Sequence, residues 1–513
     1  MSYFKTPPRA HQLRTFELAK DNGIGWGCFW EVGSGKTWEA IQLARWQFNL
    51  AGRILPTLIF TPPRPVPGWK RQWMEHTNIN PDQVVLLQGS QKERVKIFEA
   101  ACAKYNNEVV FVTNYESLLM KDLFACFQKF APRILVWDES HRLKSQKAER
   151  TKQADLLSNP YDLKNKRALP KPYTIMLSGS PVLKDPMDLF MQFKIMDGGR
   201  TFGWNIWAFR AKYFRDRNAG MPKDKYFPKW EVMSLKKDGM DGIGEIQKLM
   251  ARLSNSVTKE ECLDLPPEID EVVEVPMSKE QERLYNEMKK DLITFYNSKA
   301  CVASLAITKA LRMMQILTGY IPVQNPGEDD EQILMEIKDN ARITKYKEWL
   351  EEMLDMGQSV LVWAVFHHNY KALREATQEV FDKLKLKKAS IAECHGGISS
   401  KMQAANLEKF RDDPNCLVFL GHPKSGGIGV NELMKAGVDM TYSRDFALES
   451  YVQSRGRNHR DGTDKFGHKK IVHYNMVTPN TIDEAALKKL VNKEDLSDRL
   501  LADLVTEIQE QKN

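Results

Sequence analysis

The chain has 513 residues, of which 42% are hydrophobic and 28% charged, with a net charge of +8. That composition supports a large core and excludes low-complexity, collagen-like and intrinsically disordered classes. Its seven cysteines are scattered with no C-x-x-C pair, and no apolar run approaches the ~18–20 residues of a membrane span, so a cytoplasmic protein with free thiols is expected.

The N-terminus, MSYFKTPPRAHQ, lacks the apolar core of a signal peptide. Residues 5–20 form a proline-led entry to an amphipathic helix with Gln12 near its start. A carboxamide offers a donor and an acceptor, as an adenine edge requires, and a solvated helix residue is the plain alternative. Gly27 to Val32 is a short apolar run, followed at once by Gly33-Ser34-Gly35-Lys36-Thr37 and then by helical spacing. A strand, a glycine turn and a helix N-terminus aim backbone N–H groups at one spot, which suits a phosphate chain. Lys36 would add a point charge for the outer phosphates, and Thr37 a hydroxyl for Mg²⁺. The full phosphate-loop pattern has a glycine where this chain has Trp30, so an ordinary glycine turn stays open at this point.

Further apolar runs at 55–62, 84–87, 109–113, 134–137 and 173–177 alternate with helical stretches. Runs that are apolar throughout predict a parallel sheet covered on both faces, with ligands at the carboxyl ends of its strands. One run leads into Thr113-Asn114-Tyr115-Glu116-Ser117. The next ends in Asp138-Glu139-Ser140-His141. Adjacent acids leaving a buried strand suit a carboxylate on Mg²⁺ beside one that orients and deprotonates water; two solvated turn acids are the alternative. The last run ends in Ser178-Gly179-Ser180-Pro181, whose hydroxyls can link a γ-phosphate position to movement of a second domain.

From 185 to 264 the pattern is helical and rich in aromatics, which at this spacing read as core. Lys223 to Lys237 is basic with interleaved aromatics and suits either a nucleic-acid backbone or a solvated loop. Leu265-Pro266-Pro267 breaks the chain. The expected domains are 1–265, with a helical insertion about 185–264, and 266–513, with a helical insertion about 277–340 and a helical tail.

A second alternating segment has runs at 358–366, 389–394 and 416–420 and a short one at 439–442. The third of these runs into Ser425-Gly426-Gly427 and Gly429. In YVQSRGRNHRDG (451–462), Gln453, Arg457 and Arg460 are spaced four and three apart and would share one helix face. Two guanidiniums there make a bidentate anion clamp, with a solvated basic helix as the alternative. This half has no phosphate loop of its own, so its arginines can serve the first half's site.

The ordered set GSGKT, TNYESL, DESHRLK, LSGSP, HGGIS, SGGIGVNEL and QSRGRNHRDG, with Gln12 before it, resembles the superfamily-two helicase-type ATPases of the Swi/Snf kind over roughly residues 5–495. Relatives of this type also lack a glycine at the Trp30 position. The resemblance implies an α/β fold of two RecA-like parallel-sheet lobes with helical insertions, and ATP with Mg²⁺ in the cleft between them. It further implies that Gln12 reads adenine, Gly33 to Lys36 hold the phosphates, and Thr37 and Asp138 hold Mg²⁺. Glu139 would activate water, Arg457 and Arg460 would reach the γ-phosphate, and Gln453 and Gly429 would complete the closed site. His141, Ser178 and Ser180 would couple the lobes. Thr113, Asn114, Tyr115, Ser425, Gly426 and Gly427 would contact a DNA backbone. The implied partner is duplex or branched DNA, tracked by a monomer; the compact chain looks like phage or bacterial members. Ser140 replaces a common alanine, and ARLSNSVTKEE lacks the paired arginines that relatives often carry. The competing expectations are a strand-separating helicase, a non-hydrolysing DNA scaffold and a small-molecule phosphotransferase.

Overall fold

The computed structural model describes residues 3–31, 33–63, 65–162, 165–179, 186–220, 230–233, 242–258, 261, 265–297, 303–324, 332–424, 432–459 and 463–492. The chain divides into two compact units, Met1–Asp264 and Leu265–Asn513.

The first unit runs α1 (Ala10–Ala19), β1 (Gly25–Trp30), α2 (Lys36–Ala51), β2 (Thr57–Thr61), α3 (Val66–His76), β3 (Val84–Leu86), α4 (Gln91–Tyr105), β4 (Val110–Asn114), α5 (Lys121–Phe130), β5 (Ile134–Asp138) and α6 (Glu149–Ser158). A short antiparallel pair, β6 (Tyr161–Asp162) and β7 (Arg167–Ala168), precedes β8 (Tyr173–Leu177), α7 (Leu189–Asp197) and α8 (Ile206–Tyr213). A second antiparallel pair, β9 (Phe214–Asp216) and β10 (Trp230–Val232), then α9 (Gly242–Met250) and β11 (Ser254–Val257), complete it. The main sheet has the order β11-β1-β8-β5-β2-β4-β3 with every pairing parallel. Strand β5 shows why its run lacks a polar face. Ile134 and Val136 enter one core layer, and Leu135 and Trp137 enter the layer on the other side of the sheet.

Two expectations for 185–264 need correction. The segment is not only helical, because β11 returns to the main sheet beside β1. Its residues, Ser254-Asn255-Ser256-Val257, have too little apolar content to signal a strand. The aromatics also divide. Phe202, Phe209, Tyr213 and Phe214 are core, whereas Trp204 and Trp207 are each 67% exposed.

The second unit has β12 (Glu268–Glu274), the antiparallel pair β13 (Tyr320–Gln324) and β14 (Gln332–Glu336), β15 (Val360–Trp363), β16 (Ser390–Cys394), β17 (Cys416–Gly421), β18 (Val438–Thr441) and β19 (Ile471–Val477). Its sheet has the order β12-β19-β18-β15-β17-β16, again all parallel. Helices Lys279–Asn297 and Ala303–Leu317 precede the β13–β14 pair, so the insertion expected to be helical also contains strands. Of the expected tail, helix Ile482–Val491 is described and the remainder lies outside the described residues.

Candidate active site

In the main sheet of the first unit β8 lies between β1 and β5, and β5 pairs with β2. The glycine turn, Ser178, Asp138 and Thr61 therefore stand at or just past the carboxyl ends of adjacent strands. The turn is built to be tight. Gly33 and Gly35 have φ of 92° and 86°, and a Cβ on Gly35 would lie 2.4 Å from Gln12 Nε2. Ser34 is buried; its hydroxyl donates to the Glu31 carbonyl at 2.7 Å. His11 lies under the turn with Nε2 2.9 Å from the Ser34 carbonyl. Burial lowers the His11 pKa, so the ring is neutral, and Nε2 carries the proton because a carbonyl only accepts. Lys36 opens α2 and folds its ammonium onto the carbonyls of Trp30 (2.8 Å) and Glu31 (3.0 Å). Thr37 follows in the first turn of α2, among N–H groups that lack partners within the helix.

Gln12 braces the start of α1 and the glycine turn in this structure. Its Oε1 accepts from the Arg9 N–H at 2.9 Å, and its Nε2 is 3.4 Å from the Gly35 carbonyl. The start of α1 needs an acceptor for its unpaired N–H groups, and Gln12 provides it.

Asp138 ends β5. Its Oδ2 accepts from the Thr61 hydroxyl (2.7 Å) and the Trp69 indole N–H (3.0 Å), which join β2 and α3 to the acid box. Glu139 adopts φ 55°, a left-handed conformation that costs a non-glycine residue roughly 1–3 kcal/mol and that clusters at functional sites. Its Oε2 is 3.3 Å from His141 Nδ1, which in turn is 3.2 Å from the Ser178 hydroxyl. The acids are driven apart electrostatically. Burial, then the charge of Glu139, raises the Asp138 pKa against the bonds from Thr61 and Trp69. Burial acts the same way on Glu139, but the bond and charge of His141, with Lys36 and Arg142, outweigh it and hold Glu139 well below the carboxylate range. The arrangement therefore presents an ionised carboxylate beside one that gains from a nearby cation.

The Ser140 hydroxyl is buried and donates to Gln192 Oε1 at 2.8 Å, while Gln192 Nε2 donates to the Asp188 carbonyl at 3.1 Å and Lys144 pairs with Asp188 at 2.9 Å. The acid box is thus tied to α7. An amide inside the apolar run LFMQFKIM was the available signal for Gln192.

The hydroxyls of Thr113 and Tyr115 are not presented to a DNA backbone, contrary to expectation. Both residues are buried. Tyr115 donates to the Asp138 carbonyl at 2.7 Å. Arg94 on α4 donates to Asn114 Oδ1 (2.8 Å), the Ser117 hydroxyl (2.6 Å) and the Thr113 hydroxyl (3.3 Å). A buried guanidinium needs such acceptors, so it takes up the polar atoms of this turn. The motif braces the acid box from behind.

In the second unit, helix Leu448–Arg455 ends before Arg457, so Gln453 and Arg457 do not share a helix face. Gly456, a poor helix former, follows the last helical residue. Arg457 is buried. The residues interleaved with it grip β12 and its approach. Arg455 forms a bidentate pair with Asp270, with Nη2–Oδ2 at 3.0 Å. His459 Nε2 is 2.8 Å from the Pro266 carbonyl, and its Nδ1 is 3.0 Å from Glu268. Asn458 donates to Asp439 Oδ2 at 3.0 Å. His473 on β19 lies between Asp439 (2.5 Å) and Glu268 (3.0 Å). Burial lowers its pKa, but the charge of Asp439 and bonds to both acids prevail and raise it to about 9. Arg460, Gly429, Ser180, Ser425, Gly426 and Gly427 lie outside the described residues.

The family described as SNF2-related domain matches residues 20–325, and the helicase conserved C-terminal domain matches residues 345–462. The chain belongs to the SNF2-related family. In each of its two units it carries a parallel-sheet α/β fold. It is 22% identical over 538 residues to chromodomain-helicase-DNA-binding protein 7 of Gallus gallus, covering 94% of this chain and 16% of that protein. It is 22% identical over 560 residues to the lymphoid-specific helicase of Homo sapiens, covering 93% of this chain and 60% of that protein. Protein p41 of Acyrthosiphon pisum secondary endosymbiont phage 1 is 24% identical over 476 residues, covering 92% of this chain and 93% of that one. Among solved structures, the Sulfolobus solfataricus SWI2/SNF2 ATPase core in complex with dsDNA is similar at 17% identity and a TM-score of 0.41, covering 99% of this chain and 95% of that chain. The chain thus spans about a sixth of the first of these relatives and three fifths of the second.

Proposed function

We propose that this SNF2-related ATPase couples ATP hydrolysis to movement along duplex DNA and acts as a monomer on forks, branched DNA or protein–DNA complexes. The observation that carries this is the convergence of the glycine turn and the acid box at the carboxyl ends of β1 and β5, with only β8 between those strands. The residues fit ATP and Mg²⁺. The turn is a cradle that a Cβ at Gly35 would fill, and Lys36 is a cation resting on carbonyls that phosphate oxygens can replace. Bound ATP supplies the phosphoanhydride, with Mg²⁺ offsetting its charge.

Lys36 and the N–H groups of Gly33 to Thr37 would hold the phosphates, and Thr37 and Asp138 the cation. Glu139, ionised and oriented by His141, would accept a proton from the attacking water. His141 would pass a change at Glu139 to Ser178 and the turn that follows it. Gln12 would read adenine by exchanging its bonds to Arg9 and Gly35. Arg457 and Arg460 would reach the γ-phosphate, with Gln453 and Gly429 closing the site. Asn114 and the Ser425–Gly427 turn remain the proposed DNA contacts near the strand ends. The described cysteines are free, in keeping with a cytoplasmic setting. No helix among the described residues is long and apolar enough to cross a membrane.

The test is ATP hydrolysis with duplex, forked, four-way-junction and single-stranded DNA and with RNA, beside triplex displacement and strand displacement. Stimulation by duplex with triplex displacement supports the proposal. Strongest stimulation by RNA refutes it, and strand displacement without a triplex signal favours a strand-separating helicase.

A further inference from the structure

Residues 200–237 carry ten Lys and Arg against three Asp and Glu, which is +7 of the chain's net +8. Where the described part of this stretch begins, two indoles stand in solvent. Trp204 and Trp207 are each 67% exposed, while Phe202, Ile206 and Phe209 between and beside them are buried. Large exposed apolar surface of this kind marks an interaction site more often than an isolated leucine does.

The loop bearing Trp204 is fixed in advance. The Asp197 carboxylate accepts from the N–H groups of Gly199 (2.8 Å), Arg200 (3.0 Å) and Thr201 (2.8 Å), and the Gly203 N–H donates to the Gly199 carbonyl at 2.9 Å. Gly198 and Gly199 have φ of +72° and +80°. A Cβ on Gly199 would meet Trp204 Cδ2 at 3.0 Å, and one on Gly198 would lie 3.7 Å from Cη2. The indole therefore lies along two glycines with most of its surface open. Trp207 is the second residue of α8, where Asn205 accepts its N–H at 2.8 Å. The Arg210 guanidinium lies 5.1 Å from the Trp207 ring and 5.3 Å from that of Trp230, within cation–π range of both.

We propose that Trp204 and Trp207 form a stacking platform for unpaired nucleobases of single-stranded DNA, with Arg210 beside Trp207 drawing in a phosphate. The proposal deepens the DNA-translocase reading and rests on it for the choice of DNA as partner. Rigid indoles offer π-faces at small entropic cost, and every base has a face to match. A duplex encloses its base faces and would meet only the cations.

The test is equilibrium binding of the full chain, without nucleotide, to a labelled single strand of about 30 nucleotides, to an abasic strand of equal length and to duplex. Trp204→Ala/Trp207→Ala should bind the single strand roughly 10- to 100-fold more weakly, on the scale of base–aromatic stacking, and duplex within about twofold. Wild type should bind the abasic strand as weakly as the variant binds the ordinary one. Trp204→Phe/Trp207→Phe should restore most of the affinity, and the salt dependence should be unchanged because phosphate contacts set it. Unchanged affinity for the single strand, or equal losses on abasic and ordinary strands, overturns the platform. Retained DNA binding with loss of binding to polyglutamate overturns it in favour of an acidic protein partner. Wild-type ATPase that duplex fails to stimulate, with base-dependent binding intact, would sink the translocase reading and leave the platform standing.

Discussion

His473 should make the second unit sensitive to alkali. Its imidazole is 2% exposed and flanked by Asp439 and Glu268, with a pKa of about 9 in place of 6.5. The folded-state pKa is raised, so the stabilisation is fully present below about pH 6.5 and is lost as pH rises through about 9. Each tenfold gain in proton affinity corresponds to about 1.4 kcal/mol, so the full effect is about 3.5 kcal/mol, with about 2.5 kcal/mol remaining at pH 7 and little at pH 9.5. Urea unfolding of the full chain between pH 7 and 9.5, read by hydrogen exchange in peptides covering β19 and corrected for intrinsic rates, should show that loss. Glu268→Gln replaces one of the two carboxylates by a neutral amide, keeps Asp439 and should flatten the slope by less than half. A flat profile in wild type, or equal slopes in wild type and Glu268→Gln, would refute the reasoning.

Lys36→Ala should abolish ATP hydrolysis with DNA affinity within about threefold of wild type, measured by anisotropy and phosphate release. Arg457→Ala should reduce turnover by roughly 10³-fold or more while sparing ATP binding, on the scale of arginine fingers; equal losses in both would count against that role. Gln192→Leu strands the buried Ser140 hydroxyl and should cost about 1–3 kcal/mol, seen as a lower Tm. Adding Ser140→Ala should recover most of it, and strict additivity of the two changes would refute the pairing. Asp270→Asn should lower triplex displacement per ATP consumed more than it lowers hydrolysis; proportional losses would show that the pair with Arg455 is only structural.

The parallel sheets were legible because buried strands such as Ile134–Trp137 are apolar at every position, and the glycine turn and acid box follow such strands directly. Strand β11 was hidden because Ser254, Asn255 and Ser256 are made acceptable only by the sheet they join. Strand β19 places His473 and Asn475 in a buried position, where acids distant in sequence hold the histidine protonated. The placing of Thr113 and Tyr115 differs from expectation for a related reason. Hydroxyls look available in a sequence until their partners, Arg94 and the Asp138 carbonyl, are placed beside them. Helical spacing likewise could not separate Trp204 from Phe202, because the difference lies in a left-handed glycine pair that gives Trp204 a bed on the surface.

The grip of Arg455 and His459 on residues 266–270 has a mechanical consequence. The polypeptide enters the second unit at Leu265, and within five residues it is pinned at Pro266, Glu268 and Asp270 by Arg455 and His459, on either side of the turn that carries Arg457. Tension along the connecting chain therefore arrives at that turn before it reaches the interior of the sheet. The load path runs through the bonds that flank Arg457, so strain on the tether is felt first at Arg455 and His459.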